Sequence, residues 1–350
     1  MVERRASPGY AFGMNTDHIS EFDSALRRKL DTKTKPQGSL GRIEDIAAQV
    51  ARLQRRLDPV MKRCALILFA ADHGIAEEGL SAYPQAVTRQ MVANFASGGA
   101  AANVFARAQG MDLRVINAGV IGGAFDMLEV EEHAIAEGTA NFLTGPAMTA
   151  AQAQEALYIG EHFGTCGTHD ATAFGEMGIG NTSAASVMAH KLTGLPLDVL
   201  VGRGTGLAPE GLARKLSVLE RAAARTGALT PRAVLEHYGG FEIVMMTGAM
   251  LGAARAKRIV LVDGFIATVA AMAACALDPS VRAAMIFAHR SDEAGHSAVL
   301  ETMDASPLLD LNMRLGEGSG AALAWPLLSA SVAMLNEMAS FEDAGVSGPA

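Results

Sequence analysis

Two glutamates framed by glycines are the residues of this sequence whose setting best suits chemistry. Glu317 lies between two glycines in LNMRLGEGSGAALA (311–324), and a run of small apolar residues typical of a helix follows it. Glycines let a backbone turn sharply and approach a ligand closely. An exposed glutamate that only favours the positive end of a helix dipole is the alternative. A second segment of the same build, GEMGIGNTSAA (175–185), contains Glu176, which favours one site assembled from both segments.

The glycine-rich loop after Glu176 has the character of an anion-binding site. Bare backbone N–H groups at the start of a helix attract phosphate, and this helix is predicted to end at Gly194. The loop lacks the Gly-Lys-Ser ending of a Walker loop, and Ser183 replaces the third glycine of a dinucleotide fingerprint. We predict a phosphate monoester site rather than a purely structural turn or a nicotinamide-dependent dehydrogenase. The residues of this loop are Gly178, Ile179, Gly180, Asn181 and Thr182.

A second glycine loop can complete the same phosphate site. Gly202 and Gly204 lie in GRGTG (202–206), which follows a predicted strand and can close over the phosphate. Lys215, one helix further along, can add a positive charge, although a surface lysine is an equal alternative. These residues extend the predicted phosphate site beyond the first loop.

The remaining reactive side chains favour no nucleophile and no metal. The sequence contains no Gly-x-Ser-x-Gly elbow and no cysteine in a reactive setting. Asp72 and His73 fit an acid/base pair or a metal-binding fragment, but a structural role is favoured. His289 and His296 lack a third nearby ligand, so we expect no zinc site. Two isolated carboxylates beside a phosphate site favour chemistry at a sugar carbon, where a carboxylate shields positive charge or takes a proton.

Composition excludes several classes of protein. The chain has 350 residues, of which 50% are hydrophobic and 19% charged, as in a large α/β enzyme. A net charge of −8 argues against binding to nucleic acid. Three separated cysteines fit a reducing compartment, and the N-terminus lacks the apolar region of a secretory signal. The apolar run 265–277 is too short to span a membrane, so we expect a cytoplasmic protein.

Short apolar runs without alternation predict a parallel sheet with helices on both faces. The runs are 64–74, 113–120, 198–206, 258–265 and 283–291. The predicted helices between them are 84–109, 183–193, 209–226, 242–257 and 265–277. Ligands of such sheets bind beyond the carboxyl ends of the strands, which is where Asp263 lies.

The two ends of the chain are helical in pattern. Residues 17–57 predict two helices separated by a turn at 36–39, with Ser39 as the N-cap of the second. A long apolar helix near the C-terminus contains Pro326, which is expected to kink it or to lie in its first turn. We expect residues 1–60 and 306–345 to form a small helical lobe, 61–305 the α/β body, and 346–350 a tail.

Five motifs in the right order resemble the nicotinate-nucleotide–dimethylbenzimidazole phosphoribosyltransferase family, over essentially residues 30–341. They are TKPQGSLGRIE (34–44), ADHGIAEEGLSAYPQAVT (71–88), GEMGIGNTSAA (175–185), MTGAMLGAARAKRIVLVDGF (246–265) and MRLGEGSGAALA (313–324). The resemblance implies a Rossmann-like parallel sheet with a small helical lobe, and a homodimer. It also implies α-ribazole 5'-phosphate and nicotinate as products, with inversion at the sugar, in cobalamin synthesis.

By the same resemblance, Glu317 matches the general base that takes a proton from dimethylbenzimidazole, and Glu176 matches a second carboxylate near the ribose. The predicted phosphate residues, including Lys215, match those that bind nicotinate mononucleotide. Asp263 is a further candidate beside the site. No cofactor or metal is implied. The segments that sandwich the benzimidazole contain Ala82, Tyr83, Met91 and Leu315.

The acceptor-binding segments depart from the best-known members of this family. Tyr83 stands where a serine can occur, and Met91 where a glutamine can occur. Because both are bulkier or less polar, transfer to a different acceptor base is one alternative function. A non-catalytic nucleotide sensor of the same fold is another, although a sensor needs no base beside the sugar.

Overall fold

Six parallel strands form the central sheet of the computed structural model, which describes residues 20–204 and 206–347. The strands are β1 (Cys64–Ala71), β2 (Asp112–Gly119), β3 (Val130–Glu132), β4 (Ala171–Met177), β5 (Ile259–Val262) and β6 (Met285–Phe287). Their order is β3-β2-β1-β4-β5-β6, and every neighbouring pair is parallel. The predicted α/β class and parallel sheet are therefore confirmed.

Helices connect the strands and cover the sheet. They are α1 (Glu21–Asp31), α2 (Arg42–Gln54), α3 (Ala86–Ala96), α4 (Ala101–Ala108), α5 (Ala150–Thr165), α6 (Asn181–Thr193), α7 (Leu197–Leu200), α8 (Pro209–Ala224), α9 (Pro231–Tyr238), α10 (Phe241–Arg255), α11 (Phe265–Leu277), α12 (His296–Thr302) and α13 (Ser319–Glu337). Two short 3-10 turns span Gly74–Glu78 and Pro279–Ala284. Across the described part of the chain, no helix combines the length and apolarity that crossing a membrane requires.

Strand β1 shows why the predicted strands lack an alternating pattern. Ile67 and Phe69 belong to a large core that includes α5, α6, α10 and α11. Leu66 and Leu68 belong to a second core on the opposite face, which includes α2, α4 and α13. All eight residues of β1 are buried, because both faces of the sheet are covered by helices.

Glycines allow α5 and α10 to pack in unusually close contact. A Cβ on Gly164 would lie 2.0 Å from the carbonyl oxygen of Ala249, and one on Gly160 would lie 1.9 Å from that of Met245. Gly248 meets the α5 backbone in the same way. Side chains are excluded at this contact, so the two helices rest backbone against backbone under the sheet.

Helices α1, α2 and α13 share a third, smaller core, which contains Leu26, Leu30 and Leu335. Helices α2 and α13 also cover one face of the sheet, since Val50 and Trp325 belong to the core of that face. This packing agrees with the predicted small helical lobe, while the division of the chain into lobe, body and tail stays a prediction.

The predicted strand 198–206 is wrong, and the sequence patterns miss two strands. The short helix α7 begins after Pro196, and residues 201–204 are irregular, because the apolar run ends at Gly202. Strand β4 contains a glycine and a glutamate that are typical of turns, which hides its strand character. Strand β3 has only three residues and carries two glutamates, so its composition gives no strand signal.

Several helix boundaries also differ from prediction. The predicted helix 84–109 is interrupted at 97–100, where Gly98 has a φ of 78° and ends α3. The N-cap of α2 is Gly41 rather than Ser39, because a turn continues through residues 37–41. Pro326 lies inside α13. Residues 1–19 of the predicted first helix and lobe, residue 205 and residues 348–350 of the predicted tail lie outside the described residues.

Candidate active site

A cavity of about 360 Å³ opens at the carboxyl ends of the strands. Most of its lining comes from residues at or beyond the ends of β4, β5 and β6 and from the turn before α13, and ligands of open α/β sheets bind beyond the carboxyl ends of the strands. Ten of the predicted site residues line this one cavity. They are Tyr83, Glu176, Gly178, Ile179, Asn181, Thr182, Gly204, Asp263, Leu315 and Glu317.

Glu317 occupies a tight left-handed turn immediately before α13. Its φ is 62°, and its neighbours Gly316 and Gly318 have φ values of 82° and 75°. A non-glycine residue in this region carries a backbone cost of roughly 1 kcal/mol, which functional sites commonly tolerate. The turn rests on β4, because a Cβ on Gly175 would lie 2.6 Å from the Glu317 carbonyl oxygen. The close approach of these two backbones therefore sets the position of Glu317.

The environment of the Glu317 carboxyl prepares it to exchange a proton near neutral pH. Burial raises the pKa of Glu317 to about 7, opposed by the backbone N–H of Ala102 and supported by the negative charge of Asp263. The side chain is 6% exposed, and its Oε2 has no hydrogen-bond partner within the described structure. A buried carboxyl with an unpartnered oxygen, in a residue that lines a cavity, has the properties of a general base.

Glu176 is the second carboxyl of the cavity and lies at the end of β4. Its Oε2 accepts a hydrogen bond from the Asn181 amide, and its Oε1 accepts one from the Glu317 backbone N–H at 3.4 Å. Burial is the main cause that raises the pKa of Glu176 well above its usual range, and the negative charges of Asp263 and Glu242 add to this effect. Burial and the neighbouring carboxylates therefore favour the protonated form of Glu176.

The glycine loop forms the start of α6, as predicted. Gly180 is the N-cap with a φ of 101°, and Gly194 ends the helix in the left-handed conformation. A Cβ on Gly178 would lie 2.4 Å from the carbonyl oxygen of Ala71, so only glycine fits between the loop and β1. The first N–H groups of α6 consequently lie beside the cavity without side chains over them.

Lys215 reaches the same place from α8. It is only 1% exposed, which rules out the alternative of a surface lysine. Its Nζ donates to the Thr182 hydroxyl at 2.9 Å and to the Gly202 carbonyl oxygen at 3.4 Å. Burial lowers the pKa of Lys215 to about 8, while the charge of Glu293 opposes this shift. The Lys215 ammonium group thus lies against Thr182 in the first turn of α6, as expected if both take part in the predicted phosphate site.

Tyr83 and Leu315 lie at the mouth of the cavity and are 55% and 54% exposed, respectively. Such exposed apolar side chains can close on a flat ring. Ala82 is exposed beside Tyr83, and Met91 is half-buried in α3, where it packs against the core. Neither Ala82 nor Met91 is among the residues that line the cavity.

Nine further residues line the cavity, and four of them have polar or aromatic side chains that sequence reasoning did not single out: Phe265, Ser291, Glu293 and Arg314. Arg314 stands three positions before Glu317, and Phe265 is the last residue of the predicted strand 258–265. Ser291 and Glu293 lie at and just beyond the end of the last predicted strand. Position relative to a strand end is thus the signal that could have found three of the four.

The Asp72-His73 segment takes part in buried structural contacts. His73 Nε2 lies 2.6 Å from Glu242 Oε1, and both side chains are fully buried. Asp72 Oδ2 accepts the backbone N–H of Ile121 at 2.9 Å. Within residues 20–204 and 206–347, no three His, Cys, Asp or Glu side chains are grouped to hold a metal ion. The favoured structural role of this segment agrees with these contacts.

Comparison with known proteins agrees with the motifs and with the fold. A family model described as phosphoribosyltransferase matches residues 17–346. The nicotinate-nucleotide–dimethylbenzimidazole phosphoribosyltransferase of Ralstonia nicotianae is 50% identical over 344 residues, covering 95% of this chain and 97% of that protein. The enzyme of the same name from Xanthomonas oryzae is 48% identical over 97% of this chain and 99% of its own length.

A solved structure is also similar to this chain. The crystal structure of CobT from Thermus thermophilus superposes with a TM-score of 0.91 at 42% identity, covering 94% of this chain and all of that one. This similarity extends over both the sheet and the helices that surround the cavity. The chain therefore belongs to the nicotinate-nucleotide–dimethylbenzimidazole phosphoribosyltransferase family, the family that its motifs resemble.

Proposed function

We propose that this protein transfers the phosphoribosyl group of nicotinate mononucleotide to 5,6-dimethylbenzimidazole in cobalamin synthesis. The products are α-ribazole 5'-phosphate and nicotinate, with inversion at the anomeric carbon. The names of the relatives and the grouping of the predicted residues around one cavity support this proposal. No cofactor enters the reaction, which is a direct displacement.

The phosphate of nicotinate mononucleotide binds at the start of α6. Backbone N–H groups and the helix dipole both favour an anion there. Lys215 adds a positive charge, and its Nζ already lies 2.9 Å from the Thr182 hydroxyl and 3.4 Å from the Gly202 carbonyl oxygen. Because Lys215 is buried, its interaction with a bound phosphate is weakly screened. This position holds the ribose between Glu176 and Glu317.

The displacement itself moves one bond and one proton. A ring nitrogen of dimethylbenzimidazole attacks the anomeric carbon from the face opposite nicotinate, and the departing nicotinate nitrogen keeps the electron pair of the broken bond. This pair cancels the positive charge of the pyridinium ring, so nicotinate leaves readily. The attacking ring becomes positive, and Glu317 takes the proton from its other nitrogen.

Glu176 and the mouth of the cavity assist this step. Glu176 binds a ribose hydroxyl, or opposes the positive charge that develops on the sugar as nicotinate leaves. Tyr83 and Leu315 enclose the flat acceptor at the mouth, with Ala82 and Met91 contributing from neighbouring positions. A tyrosine at position 83 gives this pocket a larger apolar face than a serine, so the preference among acceptor bases is set there.

The single observation that carries the proposal is the Glu317 carboxyl, with its pKa of about 7, in the same cavity as the predicted phosphate site. A nucleotide sensor needs no carboxylate of this kind. The test is an end-point reaction of pure protein with nicotinate mononucleotide and dimethylbenzimidazole, with both products separated and identified by mass. We expect nicotinate and α-ribazole phosphate in equal amounts.

Two other outcomes of this reaction would be equally informative. Bound nucleotide without either product, together with transfer to another heterocycle, would identify a different acceptor base. Bound nucleotide without transfer to any heterocycle tested would indicate a non-catalytic nucleotide sensor rather than an enzyme. The configuration of the product, read from the coupling of its anomeric proton, tests inversion separately.

We further propose that the protein is a cytoplasmic homodimer. Its three cysteines, Cys64, Cys166 and Cys275, are all unpaired, which suits a reducing compartment. Leu128 is fully exposed and Ile121 is 42% exposed in the connection between β2 and β3, so an apolar surface is available for a second copy. Light scattering during gel filtration will give the mass of the particle, and a mass of one chain would contradict the dimer.

A further inference from the structure

Asp263 lies at the centre of a contact that the displacement mechanism leaves unused. It directly follows β5, is 3% exposed, and its Oδ1 accepts the backbone N–H of Ala321 at 2.8 Å. Ala321 belongs to the first turn of α13, whose N-cap Gly318 has no side chain to cap the helix. Asp263 therefore caps α13 from another part of the chain.

This cap lies immediately beside Glu317. The Ala321 N–H donates to the Asp263 carboxyl, and the N–H groups of Gly318 and Gly320 beside it also favour its charged form. Gly318 adjoins Glu317 in the left-handed turn, which is costly for a non-glycine residue. Strained turns persist only where the surrounding contacts hold them, and here Asp263 holds the turn from its C-terminal side.

We propose that Asp263 is a positioning residue for Glu317: its carboxylate anchors the start of α13 and thereby aims the Glu317 carboxyl into the cavity. This inference rests on the proposed function, in which Glu317 takes the proton of the acceptor. Asp263 itself touches no reacting atom in this role.

His289 packs beside Asp263. Its Nε2 lies 3.7 Å from Asp263 Oδ1, and the ring is 1% exposed. The imidazole also packs against the first turn of α13, since a Cβ on Gly320 would lie 2.0 Å from its Cδ2 atom. Burial raises the pKa of Asp263, whereas His289 and the three backbone N–H groups lower it. Burial has the larger effect, so the pKa of Asp263 lies above its usual value, and these contacts offset part of the cost of burying its charge.

Asp263 acts on Glu317 through its negative charge as well as through its hydrogen bonds. Two carboxyls face Asp263 across the cavity, Glu317 and Glu176, while His289 faces it from the segment after β6. Asp263 raises the pKa of both glutamates. The same residue therefore holds the base in position and brings its pKa towards neutrality, where a general base works best.

Three variants separate these effects. D263N keeps an oxygen that can accept the Ala321 N–H but removes the charge, and D263A removes both. The matched control is D278N, since Asp278 also accepts a backbone N–H, from Ser280 at 3.0 Å, away from the cavity. The readouts are kcat and KM for nicotinate mononucleotide, the pH profile, and the titration of Glu317 by carboxyl-carbon NMR, its signal being identified by its loss in E317Q.

For D263A we expect kcat to fall about 100-fold, the usual cost of displacing a catalytic group by about 1 Å, with KM changed less than about twofold. For D263N we expect a smaller loss of kcat. Its acid limb and its Glu317 titration should both move to lower pH by about half a unit or more. D278N should match the wild type in each measurement.

The inference is overturned if D263N leaves the Glu317 titration unmoved, or if D263A raises KM without lowering kcat. Should D263A fail to fold, D263N alone decides the matter. Absence of transfer by the wild-type protein refutes the proposed function instead. In that case the NMR titration still shows whether Asp263 acts on Glu317.

Discussion

Replacing Glu317 with glutamine separates its basicity from its shape. Glutamine has nearly the same size and keeps one oxygen, so the left-handed turn and its contact with Gly175 are preserved, but it cannot take a proton. Loss of a general base costs about 10² to 10⁴ in rate, which corresponds to roughly 3 to 5 kcal/mol of transition-state free energy. Because the proposed phosphate position is at the start of α6, KM for nicotinate mononucleotide should change little.

The pH dependence sharpens this prediction. The pKa of Glu317 is raised to about 7, so its active, ionised form is lost as the pH falls through that value. At pH 6 about one tenth of the carboxyl is ionised, and kcat/KM of the wild type should be about tenfold below its value at pH 8. E317Q should lack this acid limb, since the titrating group has been removed.

The assay is the initial rate of nicotinate release between pH 5.5 and 9, in buffers of constant ionic strength, for the wild type and E317Q. Thermal unfolding is the control. The Oε2 atom of Glu317 is buried without a partner in the described structure, so the glutamine variant should be no less stable. A wild-type acid limb that persists unchanged in E317Q, or a variant with full turnover, would refute the assignment of Glu317 as the base.

Three other perturbations probe the phosphate site, the left-handed turn and the helix contact. Phosphate favours the charged form of Lys215, whose pKa is about 8, so affinity for nicotinate mononucleotide measured by calorimetry should weaken above that pH, and K215M should bind weakly at every pH. G316A places a Cβ 2.2 Å from Glu176 Oε1 at a φ of 82°, so we expect about a tenfold loss of turnover and a lower melting temperature. G164A should cost about 3 kcal/mol or more in urea unfolding, because its Cβ would meet backbone at 2.0 Å, whereas G227A, with no atom within 4 Å, should be neutral or slightly stabilising. An unaltered urea midpoint in G164A would contradict the close contact of α5 and α10.

Gly175 shows why strand β4 is not recognisable from the sequence alone. This glycine and the glutamate that follows it are typical of a loop, yet they belong to the central strand β4. Glycine is required there because the Glu317 backbone lies where its Cβ would be, at 2.6 Å. The residue that conceals the strand is thus the one that joins the two glutamates. A single sequence does not distinguish a glycine needed for a turn from one needed for a contact.

Local patterns predict well where neighbours in the chain decide the outcome. The cap at Gly194, the extent of α11 and the two glycine-framed glutamates are all recognisable in short windows. Burial of Lys215 and the pairing of His73 with Glu242 depend on residues distant in the chain. Such contacts follow from the order of the strands in the sheet, which the hydrophobic periodicity of the sequence does not encode. Predictions of this site are therefore strongest for backbone features and weakest for charge partners.

The dependence of the left-handed turn on β4 and β5 has a consequence for the inheritance of this activity. Glu317 reaches its position only when β4 and β5, which lie far earlier in the sequence, are assembled in the sheet. Helix α13 is capped by Asp263, the residue that follows β5. A gene shortened before codon 317 encodes a chain that retains most of the sheet yet lacks the proposed base. Such a chain also loses α13, which covers one face of the sheet, so the activity and the stability of the sheet would be lost together. Recombination between relatives would accordingly need to exchange both ends of the gene together.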